Sequence, residues 1–152
     1  MNMELFDQRK KQIYREYREL IERKNRPMPG NGIFERYVYP VITADHIPIE
    51  YRYDLNPETN PYFMERIGVN ATMNSGAIYL DGRYLLVVRV EGVDRKSYFA
   101  VAESDNGTDN FRFWDRPLTI PETEDPDTNI YDIRLTRHED GWICLLYTSD
   151  AA

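Results

Sequence analysis

A single cysteine, Cys144, in 152 residues leaves no internal disulfide and no paired-thiol redox or zinc motif. The two histidines, His46 and His138, stand apart from each other and show no metal-ligand spacing. No apolar run reaches the ~20 residues of a membrane span, and the charged start MNMELFDQRKKQ lacks the apolar stretch of a secretory signal. A cytoplasmic protein with no membrane association is therefore expected, in which the sequons Asn70-Ala71-Thr72 and Asn106-Gly107-Thr108 stay inert. Positive charge is also short: 19 Lys and Arg against 26 Asp and Glu give a net charge of -7, which argues against nucleic acid as a partner. Gly-x-Gly-x-x-Gly, Walker and nucleophile-elbow motifs are absent too. Nucleotide binding and serine-hydrolase chemistry lose their usual signatures.

What is present is one helix followed by strands. Residues 4–24 carry Leu5, Phe6, Ile13, Tyr17, Leu20 and Ile21 as an apolar stripe under a Lys, Arg and Glu cover, which predicts an amphipathic helix packed on a body. Residues 26–32, with Pro27, Pro29, Gly30 and Gly32, read as a linker; residues 34–53 as short extended pieces; residues 56–62 as a Pro/Asn loop. Strands are predicted at 77–80, 84–91, 97–104, 117–120 and 130–136. Asp81-Gly82 joins the first two as a hairpin, and Asp140-Gly141 repeats that dipeptide after the last. Such an echo suits a repeat of about four strands, as in a propeller blade, and a sandwich fits the same strands nearly as well.

Two charged rows stand out. On 84–91 the residues Leu85, Val87, Arg89 and Glu91 share a face, so an apolar row turns charged at its end, with Asp94 and Arg95 following in the turn. Strict alternation in Asn129-Ile130-Tyr131-Asp132-Ile133-Arg134-Leu135-Thr136 places Asp132, Arg134 and Thr136 on one face and Tyr131, Ile133 and Leu135 on the other. An acid and a guanidinium in such a strand carry a desolvation penalty unless they meet each other, a substrate or water. An internal ion pair is one use for them and a reaction site the other; a solvated hairpin end is the ordinary reading of the first row.

The segments NATMNSGAIYLDG, VVRVEGVDRKSYFAVAESDNG, DNFRFWDRP and PDTNIYDIRLTRHEDGWI resemble the N-terminal part of the mannoside phosphorylases of glycoside hydrolase family 130. The subgroup is the one that phosphorolyses 4-O-beta-mannosyl-glucose. Less sharply, the resemblance runs back through RYVYPVITADHIPIEYRYDLNPETNPYFMERIG to the helix. Residues 144–152 depart from the family and read as a translated sequencing adapter. The chain is thus expected to comprise a helix at 1–25, a partial propeller at 26–143 and a non-native tail at 144–152. Open edges predict poor solubility for these residues alone.

The resemblance implies an all-β fold, a five-bladed β-propeller seen incompletely behind an N-terminal α-helix. It implies inverting phosphorolysis of beta-1,4-mannosides, with inorganic phosphate as co-substrate, no metal and no organic cofactor. A small oligosaccharide would be the partner, and a homo-oligomer the full-length state. Asp132, by its place in YDIRLT, resembles the family's general acid, which protonates the glycosidic oxygen through a hydroxyl of the bound mannose. Asn74, Ser75, Arg89 and Arg95 correspond to sugar-binding positions, and Tyr131 to an aromatic beside the acid or a core tyrosine. Glu91 and Asp94 read equally as supports for the two arginines or as sugar contacts, and Gly76 as a glycine that lets backbone approach the sugar ring or, more plainly, as a bulge. Arg134 sets up a tension, because a cation beside Asp132 favours the carboxylate over the acid. The family's later basic positions lie beyond residue 143, so the fragment itself is expected to be inactive. A hydrolase of the same family and a non-catalytic glycan-binding propeller stay open as alternatives.

Two further groups carry weaker signals. Glu122, Glu124, Asp125 and Asp127 form an acidic loop without EF-hand spacing, most simply a solvated loop. Phe111, Phe113 and Trp114 offer either a stacking platform for sugar or core packing.

Overall fold

The computed structural model describes residues 3–120, 129–139 and 141–149. Helix α1, Met3–Glu22, opens the chain. The predicted stripe is the docking face: Phe6 is buried edge-on against Phe63 (centroids 5.2 Å apart, planes at 87°), and Phe63 stacks on Tyr53 at 4.9 Å. Ile13, Tyr14, Tyr17 and Leu55 close the cluster with Ile49. Tyr14 Oη donates to Glu50 Oε1 (2.8 Å) and Tyr17 Oη to the His46 carbonyl (3.2 Å). Leu5, counted in the stripe, is exposed at the edge of that face. Among the described residues no helix is long and apolar enough to cross a membrane.

Residues 34–53 differ from the extended reading. They contain a 3-10 turn, Ala44–His46, and a single helical turn α2, Ile49–Arg52, introduced by Pro48. His46 Nδ1 accepts the Thr43 N–H at 3.0 Å, a local exchange that closes the first turn. Four-residue turns are too short to show a 3.6-residue period, so the sequence pattern missed them.

The body is an antiparallel sheet in the order β1-β2-β3-β4, with β1 Val69–Leu80, β2 Arg83–Gly92, β3 Ser97–Ser104 and β4 Arg112–Phe113. The hairpin at Asp81-Gly82 forms as expected, with both residues at positive φ (49° and 82°) and Leu80 paired to Arg83. No strand forms over 117–120. Pro117 has no N–H to give a ladder, and the segment is tied to β3 through Leu118 N–H to the Phe99 carbonyl (2.8 Å), just after Trp114 N–H meets that of Val101 (2.9 Å). On the side away from β2, β3 pairs instead with the shorter β4.

Both faces of this sheet are covered, so β2 reads as an apolar run in its middle instead of a clean alternation. On one face Val88, Val90 and Ala100 bury Ile47, with Ile42 and Tyr51 alongside. On the other, Val87, Phe99 and Val101 pack on Ile133 of the hairpin formed by β5, Asn129–His138, and β6, Gly141–Ser149. The expected boundary at residue 143 falls inside β6. A Cβ at Gly76 of β1 would sit 3.0 Å from Leu135 Cγ and 3.2 Å from the Ile133 carbonyl oxygen, so glycine there is what lets β1 and β5 approach.

The joint between α1 and the sheet is polar. Buried Asp109 accepts from Asn25 N–H (2.9 Å), Asn106 Nδ2 (3.0 Å) and Lys24 Nζ (3.3 Å). Burial pushes the Asp109 pKa up, but these three donors outweigh it and hold the carboxyl below its ordinary range. Since folding lowers this pKa, the stabilising contribution is complete above the value of an unfolded Asp, about 3.9, and is lost as pH falls through the lower native value. Urea midpoints of the protein and of Asp109→Asn, taken at pH 7 and in acid, should therefore differ most at pH 7 and converge in acid. An equal gap at both would show that Asp109 does not link folding to pH.

Candidate active site

Two bulges face each other where β1 passes β5. On β1 the pairing to β2 jumps from Met73↔Arg89 to Gly76↔Val87, leaving Asn74 and Ser75 out of step. On β5 the pairing to β6 jumps from Tyr131↔Tyr147 to Arg134↔Leu145, leaving Asp132 and Ile133 out of step. A bulge bends the strand and re-aims a side chain. Asn74 and Asp132 both sit at positive φ, 21° and 32°, a region that Asn and Asp tolerate better than other residues with a Cβ. Their side chains meet: Asn74 Nδ2 donates to Asp132 Oδ1 at 2.5 Å.

The charged end of β2 lies beside this contact. Arg89 is buried, with Nε donating to Ser97 Oγ (2.9 Å), Nη2 reaching Glu91 Oε2 (3.5 Å) and the guanidinium 4.3 Å from the Tyr131 ring centroid. That stacking gives Tyr131 a neighbour of cationic character as well as its place next to Asp132. Glu91, also buried, accepts from Asn70 Nδ2 (2.6 Å) and Arg95 Nη1 (3.2 Å). Arg95 itself, at positive φ in the β2–β3 turn, keeps its side chain 78% exposed and so reaches outward from a buried anchor.

The structure therefore brings together Asn74, Asp132, Tyr131, Arg89 and Arg95, with Ser75 exposed in the same bulge as Asn74. Arg134 behaves differently from the expectation. It is exposed, donates to the Ile133 carbonyl (3.0 Å), and among the described residues forms no ion pair with Asp132. The bulge interrupts the alternation that had put the two on one face, which removes the tension between them. Of the open readings, Glu91 and Gly76 now have structural places: Glu91 anchors Arg95 and Arg89, and Gly76 admits Ile133 and Leu135 rather than a ligand. Asp94 instead caps its own turn, accepting the Lys96 N–H at 3.0 Å. Asn70 and Ser97 are partners that sequence reading missed; Asn70 drew notice only as part of a sequon.

Outside this cluster, Phe111 is buried and Phe113 packs on the core, while Trp114 is partly exposed with Nε1 donating to Glu103 Oε2 (3.1 Å). β4 borders the Ala102–Glu103 end of β3, the opposite end from Ser97, which separates these aromatics from the site. The acidic loop at 122–127 lies outside the described residues. Among those described, no group of three or more His, Cys, Asp or Glu side chains is placed to hold a metal ion.

No family model matches the chain. It is 58% identical over 149 residues to the 4-O-beta-D-mannosyl-D-glucose phosphorylase of Bacteroides fragilis, a match that takes in 97% of this chain. Over that span the chain is a homologue of a family 130 mannoside phosphorylase. It spans 38% of that relative's length. The family 130 resemblance thus extends across both bulges and the charged end of β2.

Proposed function

We propose that the protein to which these residues belong is an inverting mannoside phosphorylase whose acid is Asp132. The observation that carries this reading is the pair of facing bulges that hold Asp132 against Asn74, beside the Tyr131–Arg89–Glu91 network, in a chain similar to a mannosyl-glucose phosphorylase. Two backbones in sparsely populated conformations converge on one carboxylate, and such local strain concentrates at functional sites. Ser75, Arg89, Arg95 and the carbonyl oxygen of the Asn74 amide would serve the sugar's hydroxyls, and Tyr131 would line the subsite. The four-stranded sheet with a second hairpin packed on one face suits one blade and the start of the next in a five-bladed propeller.

A phosphorylase needs one acid and a nucleophile that arrives already ionised, whereas an inverting hydrolase also needs a base for water. The dianion must be met by cations. In this reading Arg89 and Arg95, which share the single carboxylate of Glu91, serve the sugar, and Arg134 donates to a backbone carbonyl. The phosphate clamp would therefore come from parts of the longer protein, and residues 1–152 alone would not catalyse phosphorolysis.

Supplied with beta-1,4-mannosyl-glucose and inorganic phosphate, the full-length protein should release glucose and alpha-mannose 1-phosphate in equal amounts, the anomer following from a single displacement. Residues 1–152 should release neither. Free mannose formed at the same rate without phosphate would make the protein a hydrolase. Glycan binding without any turnover would make it a lectin-like propeller.

A further inference from the structure

We propose that Asn74 is a positioning residue that fixes which oxygen of Asp132 carries the proton. The inference rests on the reading of Asp132 as the acid and adds to it a division of labour between the two carboxyl oxygens. Oδ1 accepts the Asn74 amide N–H at 2.5 Å. In a carboxylic acid the carbonyl oxygen is the better acceptor and the hydroxyl oxygen the donor, so an N–H on Oδ1 leaves the proton on Oδ2. Without that contact the carboxyl would be free to rotate and present either oxygen.

The contact is built by the backbone and not by chance proximity. Asn74 reaches Asp132 because both strands bulge at the same level, and both residues adopt positive φ there. Gly76 keeps β1 close enough to β5 for the pair to meet. Asn supplies an N–H donor that stays neutral in every protonation state, which a Lys or Asp in its place would not. In the reaction an oxygen of phosphate attacks C1 of mannose, the C1–O bond breaks, and its electron pair goes to the leaving oxygen. A mannose hydroxyl gives its proton to that oxygen and receives the Oδ2 proton, leaving Asp132 as the carboxylate.

Leaving-group dependence separates this role from sugar binding or simple support. Glucose leaves only when protonated, while a nitrophenolate leaves without a proton. Asn74→Gly is the suitable variant, since glycine is the residue least strained at positive φ and the side chain is lost with both its N–H to Asp132 and its carbonyl oxygen. In the full-length protein, kcat for mannosyl-glucose should fall by about 100-fold, and kcat for 4-nitrophenyl beta-mannoside by at least about tenfold less. Asn74→Ala should show the same selectivity with an added loss on both substrates from backbone strain. Parallel losses on the two substrates, or mannosyl-glucose turnover within about threefold of the unaltered protein, would overturn the proposal. If the unaltered protein yields free mannose, phosphorolysis fails while release of glucose and nitrophenol still decides the role of Asn74. If it turns over neither substrate, the acid reading and this inference fall together.

Discussion

Asp132→Asn in the full-length protein is expected to lower kcat for mannosyl-glucose by about 10²- to 10⁴-fold, the range over which a positioned proton donor usually acts. That is about 2.7 to 5.5 kcal/mol of transition-state stabilisation. Asn is the informative replacement. It tolerates the φ of 32° at this position and keeps an oxygen where Oδ1 now accepts from Asn74, so geometry is retained while the transferable proton is lost. KM should stay within about threefold, because the sugar contacts proposed for Arg89, Arg95 and Ser75 would not depend on that proton. Steady-state formation of mannose 1-phosphate reads both constants. A fall in kcat of less than about tenfold would remove Asp132 from the acid role.

Much of what positions Asp132 was legible in the sequence. Asp81-Gly82 specified the hairpin because few residue pairs accept positive φ at both central positions. The apolar-to-charged row Leu85, Val87, Arg89, Glu91 announced a strand that is core in its middle and charged at its end, and the structure buries Val87 in one cluster and brings Arg89 to Tyr131. The helix stripe was readable for the same reason, a long period repeated over many residues.

The bulges were not readable. Strict alternation through Tyr131-Asp132-Ile133-Arg134 matches the pattern of a regular strand, and nothing in the residue types marks the slip that turns Asp132 toward Asn74 and Arg134 outward. The error had a chemical consequence, since it predicted an Asp132–Arg134 juxtaposition that does not form. Pairings between distant segments were hidden as well. Asn70 meets Glu91 only because β1 and β2 are in the register Ala71↔Glu91, and register depends on the turn and the bulges together. Local chemistry is written in neighbouring residues, whereas a site assembled from two bulged strands is written in how those strands slip.

Glu91→Ala is expected to destabilise the protein by about 3 to 5 kcal/mol, the usual consequence of removing one member of a buried ion pair. Arg89 and Glu91 have side chains only 8% and 9% exposed, so the guanidinium left behind could not recover its full hydration. Ser97 and Tyr131 would still touch Arg89, which favours the lower part of that range. Asn70 would lose its acceptor, and Arg95 its anchor. Glu91→Gln should lose less, because an amide oxygen still accepts one hydrogen bond while the charge goes. Arg95→Ala should shift stability by no more than about 1 kcal/mol, since that cation is largely in water and its pair is screened. Urea unfolding of the three variants orders them: Glu91→Ala far below Glu91→Gln, with Arg95→Ala near the parent. A loss under about 1 kcal/mol for Glu91→Ala would mean that Arg89 is held by Ser97 and Tyr131 alone, and that Glu91 is available to meet a ligand rather than to support the arginines.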